Sequence, residues 1–209
     1  MKTKQQQLSD LSQKTQQVYE SNAVRFDNDR NKVLYEKAWL ARFQNLLPNG
    51  GTILDIGCGT GEPIAQYFIE QGFQVTGIDF SSNMIALAQL RFPLHAWHLM
   101  DMRSLKIDEK FDGIIAWHSF FHLNPEEQRK TLLDFINLLN PNGALLLTIG
   151  NTEGEVTGEI GDEKVYHASL SCDEYTSLLE VSNMQVIKVM IEDPECSGTS
   201  VLLARKISL

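Results

Sequence analysis

Between about residues 52 and 150 the chain alternates short apolar runs with longer amphipathic ones. "TILDIG", "FQVTGID", "AWHLMD", "FDGIIAW" and "ALLLTIG" are β-rich runs bounded by turn residues, and they read as strands. Between them, "EPIAQYFIEQG", "SSNMIALAQLRF" and "NPEEQRKTLLDFINLLNPNG" space their apolar residues at helical intervals. The third helix is the best marked, with Asn124 as N-cap, Pro125 at its first position, Glu127 three residues after the cap, and Pro141 and Gly143 beyond its end. Such alternation requires a mainly parallel sheet with helices on both faces, and in such sheets ligands sit outside the carboxyl ends of the strands.

On either side of this core the pattern changes. From Leu8 to Leu47 the chain reads as helical, most clearly where Tyr35, Trp39 and Phe43 recur at i, i+4 and i+8 beside Leu40, until "LLPNGG" stops it. The polar stretch "NTEGEVTGEIGDEKVYHASL" is too long for an ordinary connection and predicts a hairpin over the carboxyl edge of the sheet. A helix "SCDEYTSLLEVSNM" and two closely spaced strands, "QVIKVMIED" and "TSVLLARKI", complete the sheet with an antiparallel pair. The expected organisation is one domain over 1–209: N-terminal helices in 1–47, a ligand-binding core in 48–150, a lid hairpin in 151–170, and a final helix with strands in 171–209.

Composition narrows the class without naming it. Of 209 residues, 43% are hydrophobic and 22% charged, ordinary globular usage that argues against both disorder and a membrane protein. The opening "MKTKQQQLSDLSQKTQQ" lacks the apolar core of a secretory signal, so a cytoplasmic home is expected. Cys58, Cys172 and Cys196 form no closely spaced pair, which argues against a disulfide framework or a thiolate zinc site. A net charge of -9 without a clustered basic patch argues against nucleic acid as partner. Oligomeric state is not readable.

The chemistry concentrates in "TILDIGCGTGEP", where Asp55 precedes Gly57, Gly59 and Gly61. Glycines between a strand and a helix let backbone N–H groups approach a ligand closely. The dinucleotide fingerprint Gly-x-Gly-x-x-Gly would need glycine where Glu62 stands, and the Gly-Lys-Ser/Thr of a P-loop is absent. Acids on both sides of the loop would repel a pyrophosphate and suit a cationic ligand. Cys58, inside the loop, is expected to be a compact residue packed behind it rather than a reactive thiol.

"ILDIGCGTGEP", "VTGIDFSSNMIALA", "MDMRSL", "FDGIIAWHSFFHL" and "LLNPNGALLLTIG" together resemble, in order and spacing, the motif series of class I S-adenosylmethionine-dependent methyltransferases. The resemblance is strong from Tyr19 to Gly150 and holds in outline beyond. It implies a Rossmann-like α/β fold with an antiparallel final strand and an N-terminal helical cap, S-adenosyl-L-methionine as cofactor, and a small-molecule acceptor. By the same resemblance Gly57, Gly59 and Gly61, with Cys58 among them, would lie against the methionine part of the cofactor, and Asp55 would help fix its ammonium. Asp79 would accept the ribose hydroxyls and Asp101 the adenine amine, with the Met102 backbone N–H on a ring nitrogen. Phe80 and Met84 would touch the adenine, Trp117 would border the cofactor at the end of the fourth strand, and Tyr19 and Arg30 would close over it.

The acceptor should meet "AWHSFFHL". Trp117, Phe120 and Phe121 are expected to wall a pocket, with His118 and His122 as its only groups titrating near neutrality and the candidates for a general base. Tyr166 and His167 would reach it from the hairpin. The i, i+4 spacing of the two histidines falls before the helix that Asn124 starts, which argues against a zinc pair, and no metal is expected. Asp/Asn-Pro-Pro-Tyr/Phe and Pro-Cys are both absent, which argues against methylation of nucleic-acid bases. The expected reaction is methyl transfer to the oxygen or nitrogen of a small molecule. The alternatives are a non-enzymatic module binding the cofactor or its demethylated product, and a same-fold enzyme of other chemistry such as a dehydrogenase, against which Glu62 speaks.

Overall fold

A computed structural model describes residues 3–30, 32–160 and 163–208. Helices α1 (Lys4–Asp29) and α2 (Lys37–Gln44) precede β1 (Thr52–Ile56), α3 (Ile64–Glu70), β2 (Gln74–Asp79), α4 (Ser82–Arg91), β3 (Ala96–Leu99), β4 (Phe111–Ala116), α5 (Pro125–Leu138) and β5 (Leu139–Ile149). The hairpin β6 (Gly154–Ile160) and β7 (Glu163–Ser169), then α6 (Cys172–Val181), β8 (Met184–Asp193) and β9 (Thr199–Lys206), complete the order. Seven strands form one sheet in the order β3-β2-β1-β4-β5-β9-β8, while β6 and β7 pair only with each other. β1 through β5 run parallel, and β9 lies antiparallel to both β5 and β8. This is the predicted parallel sheet with its antiparallel finish.

The strand order reverses direction at β1, whose neighbours are β2 and β4, so the crevice beyond its carboxyl end is where such sheets take ligands. Two apolar layers cover the faces. Ile53, Trp39, Phe43 and Phe68 anchor one, and Leu54, Ile114, Phe135 and Tyr175 anchor the other. α5 starts as its sequence predicts: the Asn124 side chain accepts from the Glu127 N–H while Glu127 reaches back to the Asn124 N–H. It ends earlier than Pro141 and Gly143 suggest, because extended structure already begins at Leu139.

The N-terminal helical stretch departs from its periodicity. It breaks after Asp29 and resumes at Lys37, so Tyr35 lies outside α2 and is exposed, whereas Trp39, Leu40 and Phe43 are fully buried. α1 packs instead across the hairpin: Leu8 joins Tyr166 and Ala168 in a small cluster of its own. The helix and the hairpin together form a roof over the carboxyl ends of the strands.

Candidate functional site

Every strand of the first half ends at one cleft, lined among others by Tyr19, Asp55, Gly59, Asp79, Met102 and His118. Its empty space, open mouth included, is about 1020 Å³. β1 hands the chain to three glycines with φ of 71°, 54° and 81° at Gly57, Gly59 and Gly61. At Gly57 the requirement is also steric, since a Cβ there would sit 2.3 Å from the Ser119 Cβ. Ser119 in turn donates to the Ile56 carbonyl at 2.6 Å, tying the end of β4 to the glycine loop.

Asp55 is 2% exposed and its Oδ2 has no hydrogen-bond partner. Loss of hydration, together with the nearby Asp79 charge, raises its pKa to about 7. Asp79 accepts from the Gly59 N–H at 3.0 Å through one oxygen and from the Ser81 N–H at 2.9 Å through the other. The Phe80 N–H also bears on the carboxylate, which leaves capacity for a further donor. Burial raises its pKa to about 6 against those bonds. Two buried acids with unused acceptor capacity thus share the cleft with few cations, of which Arg30 is one.

Of the acids flanking the loop, only Asp55 is available. Glu62 pairs with Lys32 and lies 3.4 Å from Arg91, so the second carboxylate of the sequence argument is already neutralised. Asp101 lines the cleft but is engaged by Arg103, whose Nε lies 2.9 Å from both of its oxygens; an adenine amine would have to share it. Phe80, Met84, Met102, Cys58 and Trp117 all border the cleft. Cys58 is buried behind the loop as expected, its thiol pKa raised by burial.

The acceptor wall is only partly the one predicted. His118 closes β4 in a left-handed conformation, φ 53°, with its N–H donating to Thr148 Oγ1 at 2.7 Å. It opens onto the cleft, and crowding by its walls, with the Arg30 and His167 charges, holds its imidazole toward neutral. Phe121 packs against His122 and His167 at ring separations of 4.9 and 4.6 Å. Phe120 does not belong there: it is fully buried against Phe135 and Tyr175 beneath α5, because the 3-10 turn Phe120–His122 sends successive side chains to different sides. The Tyr166 side chain is likewise turned away, buried under α1 with its hydroxyl on Glu155, since neighbouring residues of a strand face opposite ways. What Tyr166 contributes to the site is its carbonyl, 2.9 Å from His122 Nδ1.

Several residues that hold the site together have no periodic or motif signature. Glu20 accepts from Ser82 Oγ, Ser81 Oγ and the Asn83 N–H at the start of α4. Asp27 takes a forked bond from Arg91 and another from Thr60 of the glycine loop at 2.8 Å. Both acids lie on α1, and they latch that helix over the cleft.

Residues 53–143 match a family described as "Methyltransferase domain". A methyltransferase-family protein of Geobacillus sp. (strain WCH70) is 33% identical over 146 residues, 65% of this chain and 58% of that one. The glycine N-methyltransferase of Rattus norvegicus is 28% identical over 178 residues, 74% of this chain and 59% of that one. Over residues 53–143 the chain is thus similar to a methyltransferase domain, and its fold is the Rossmann-like fold of class I methyltransferases. The chain spans less than two thirds of the length of these relatives. The fold of this chain matches that of CalS10, an amino pentose methyltransferase from Micromonospora echinaspora, with TM-score 0.69 at 18% identity over 89% of this chain and 96% of that one. It also matches Burkholderia thailandensis 1,6-didemethyltoxoflavin-N1-methyltransferase with TM-score 0.71 at 19% identity over 100% and 92%. Among the described residues no group of three or more His, Cys, Asp or Glu is arranged to hold a metal ion, and no helix is long and apolar enough to cross a membrane.

Proposed function

We propose that the chain transfers the methyl group of S-adenosyl-L-methionine to the oxygen or nitrogen of a small-molecule acceptor. The observation that carries this reading is the unpartnered Oδ2 of Asp55, buried at the glycine loop in the same cleft as Asp79, which can still take a further donor. A ligand with an ammonium group and a vicinal diol satisfies both, and burying either acid without such partners is costly. Gly59 leaves the approach to the loop open, since a Cβ there would meet nothing closer than the Met84 Sδ at 4.0 Å. The residues therefore fit the cofactor: Asp55 on its ammonium, Asp79 on its ribose, and Phe80, Met84 and Met102 around its base.

When bound, the cofactor supplies an activated methyl group on a sulfonium, so the chain's residues have to align and desolvate rather than activate a leaving group. Trp117, His118 and His122, which follow β4, border the same cleft and offer the acceptor a wall. The relatives and fold neighbours with amine acceptors in their names support the nitrogen version of the reading. Calorimetry and thermal melting test it: S-adenosylmethionine or S-adenosylhomocysteine at a hundred times its dissociation constant should stabilise the fold by about 2.7 kcal/mol. Stabilisation by NAD and by neither sulfur compound would refute it.

A further inference from the structure

Three groups from distant parts of the chain form a line beside the cleft. Tyr19 Oη lies 2.8 Å from His122 Nε2, and His122 Nδ1 lies 2.9 Å from the Tyr166 carbonyl oxygen. A carbonyl can only accept, so Nδ1 carries the ring hydrogen, Nε2 holds the lone pair, and the Tyr19 hydroxyl donates to it. The lone pair of His122 is therefore occupied by Tyr19, and what the pair has left to offer an acceptor is the lone pairs of Tyr19 Oη. Both residues line the cleft, with Tyr19 against Phe80 on the cofactor side and His122 against Phe121 and His167 on the other.

Resting on the methyl-transfer reading, we propose that Tyr19 takes the proton of the acceptor and His122 stores it, so that the acceptor is a neutral protic nucleophile, an amine or a hydroxyl, whose X–H bond points at Tyr19 Oη. The X–H bond breaks and its proton joins Tyr19 Oη, while the phenol's own proton moves to His122 Nε2. The lone pair of X forms the bond to the methyl carbon, and the electron pair of the S–CH3 bond stays on sulfur. One positive charge disappears from sulfur and one appears on the imidazole, so the buried acids Asp55 and Asp79 face the same total charge before and after. Tyr19 cannot serve alone, because burial and the Asp79 charge hold its phenol well above the usual range and no phenolate is at hand. His122 rests neutral, its Nε2 unprotonated: burial brings its pKa down to about 4 despite the Tyr166 carbonyl, with the His167 and His118 charges acting in the same direction as burial.

The arrangement can be tested without knowing the acceptor, using S-adenosylhomocysteine and sinefungin, the analogue in which a carbon bearing an amino group replaces the methylated sulfur. Only sinefungin places an N–H donor where the methyl would be. By calorimetry, Tyr19→Phe should lower sinefungin affinity roughly 10-fold more than S-adenosylhomocysteine affinity, the worth of one hydrogen bond to a charged donor. Equal losses for the two ligands would overturn the role of Tyr19, while failure of the unaltered protein to bind either one would overturn the methyl-transfer reading beneath it. Nitrogen-15 histidine spectra of the unaltered protein provide an arm that needs no variant. His122 should show the Nδ1–H form, with Nε2 shifted by a hydrogen bond that disappears in Tyr19→Phe, and should stay neutral down to about pH 5. An Nε2–H form would overturn the relay.

Discussion

Replacing Asp55 by asparagine should make the ligand-free protein more stable, against the usual direction of a change in a buried strand. Asp55 has its pKa raised from 3.8 to about 7, first by desolvation and then by Asp79. Its carboxyl binds a proton more tightly in the folded than in the unfolded chain. Between about pH 4 and pH 7 the folded state therefore holds more protons, and stability must fall as pH rises, in contrast to a salt-bridged acid. A rise of about three pKa units at 1.36 kcal/mol each gives about 4 kcal/mol of destabilisation once the pH is above 7. Asn keeps the shape and removes the charge. The ligand-free variant should melt roughly 10 °C higher at pH 8, taking 2–4 °C per kcal/mol for a chain of this size. Its melting temperature should also lose most of the decline between pH 5 and pH 8, Asp79 accounting for what remains. The same variant should bind S-adenosylmethionine more weakly, because the ammonium loses its charged partner. Differential scanning calorimetry across that pH range, with and without ligand, measures both. A variant that melts lower than the parent at pH 8, or an unchanged pH slope, would refute the idea that Asp55 is held ionised at a cost for the sake of a cationic ligand.

Phe120→Ala should cost about 3–5 kcal/mol in urea unfolding, as for a large core side chain, while S-adenosylhomocysteine affinity stays within a few-fold; a stable variant with altered ligand binding would return Phe120 to the pocket wall. Gly57→Ala should lose about 1–3 kcal/mol of stability from its positive φ alone and more from the clash with Ser119, and calorimetry should find no S-adenosylhomocysteine binding; an unperturbed variant would mean that the loop and the end of β4 are not in contact.

The parts of this molecule legible in its sequence are those whose cause is local. The Asn124 cap, the glycines of the loop and the alternation of strands with helices each follow from residues close together in the chain, and the structure repeats them. Asp79 belongs with them, because a carboxylate at the end of a predicted strand is placed by the strand. Phe120 and Tyr166 depart for a different reason: in a 3-10 turn and in a hairpin strand, which face a side chain takes depends on register, and register is set by contacts elsewhere. Glu20 and Asp27 were invisible because they resemble the polar surface of an amphipathic helix; their partners, Ser81 and Arg91, lie more than sixty residues away.

The long helix α1 has a consequence for the order in which the molecule comes together. It presents mainly polar residues, burying Leu8, Thr15, Val18, Ala23 and Asp27, and a helix with so little apolar surface owes its place to what it docks on. Its partners are Thr60, Ser81 and Arg91, then His122, then the strand holding Tyr166 and Ala168. During synthesis it leaves the ribosome before every one of them and must wait, unplaced, for some 140 residues to follow. Its contacts reach far along the chain, and contacts of that kind form late and come apart early. Fraying of α1 at equilibrium would open the roof while leaving the sheet intact, giving a ligand a way in that needs no hinge within the core.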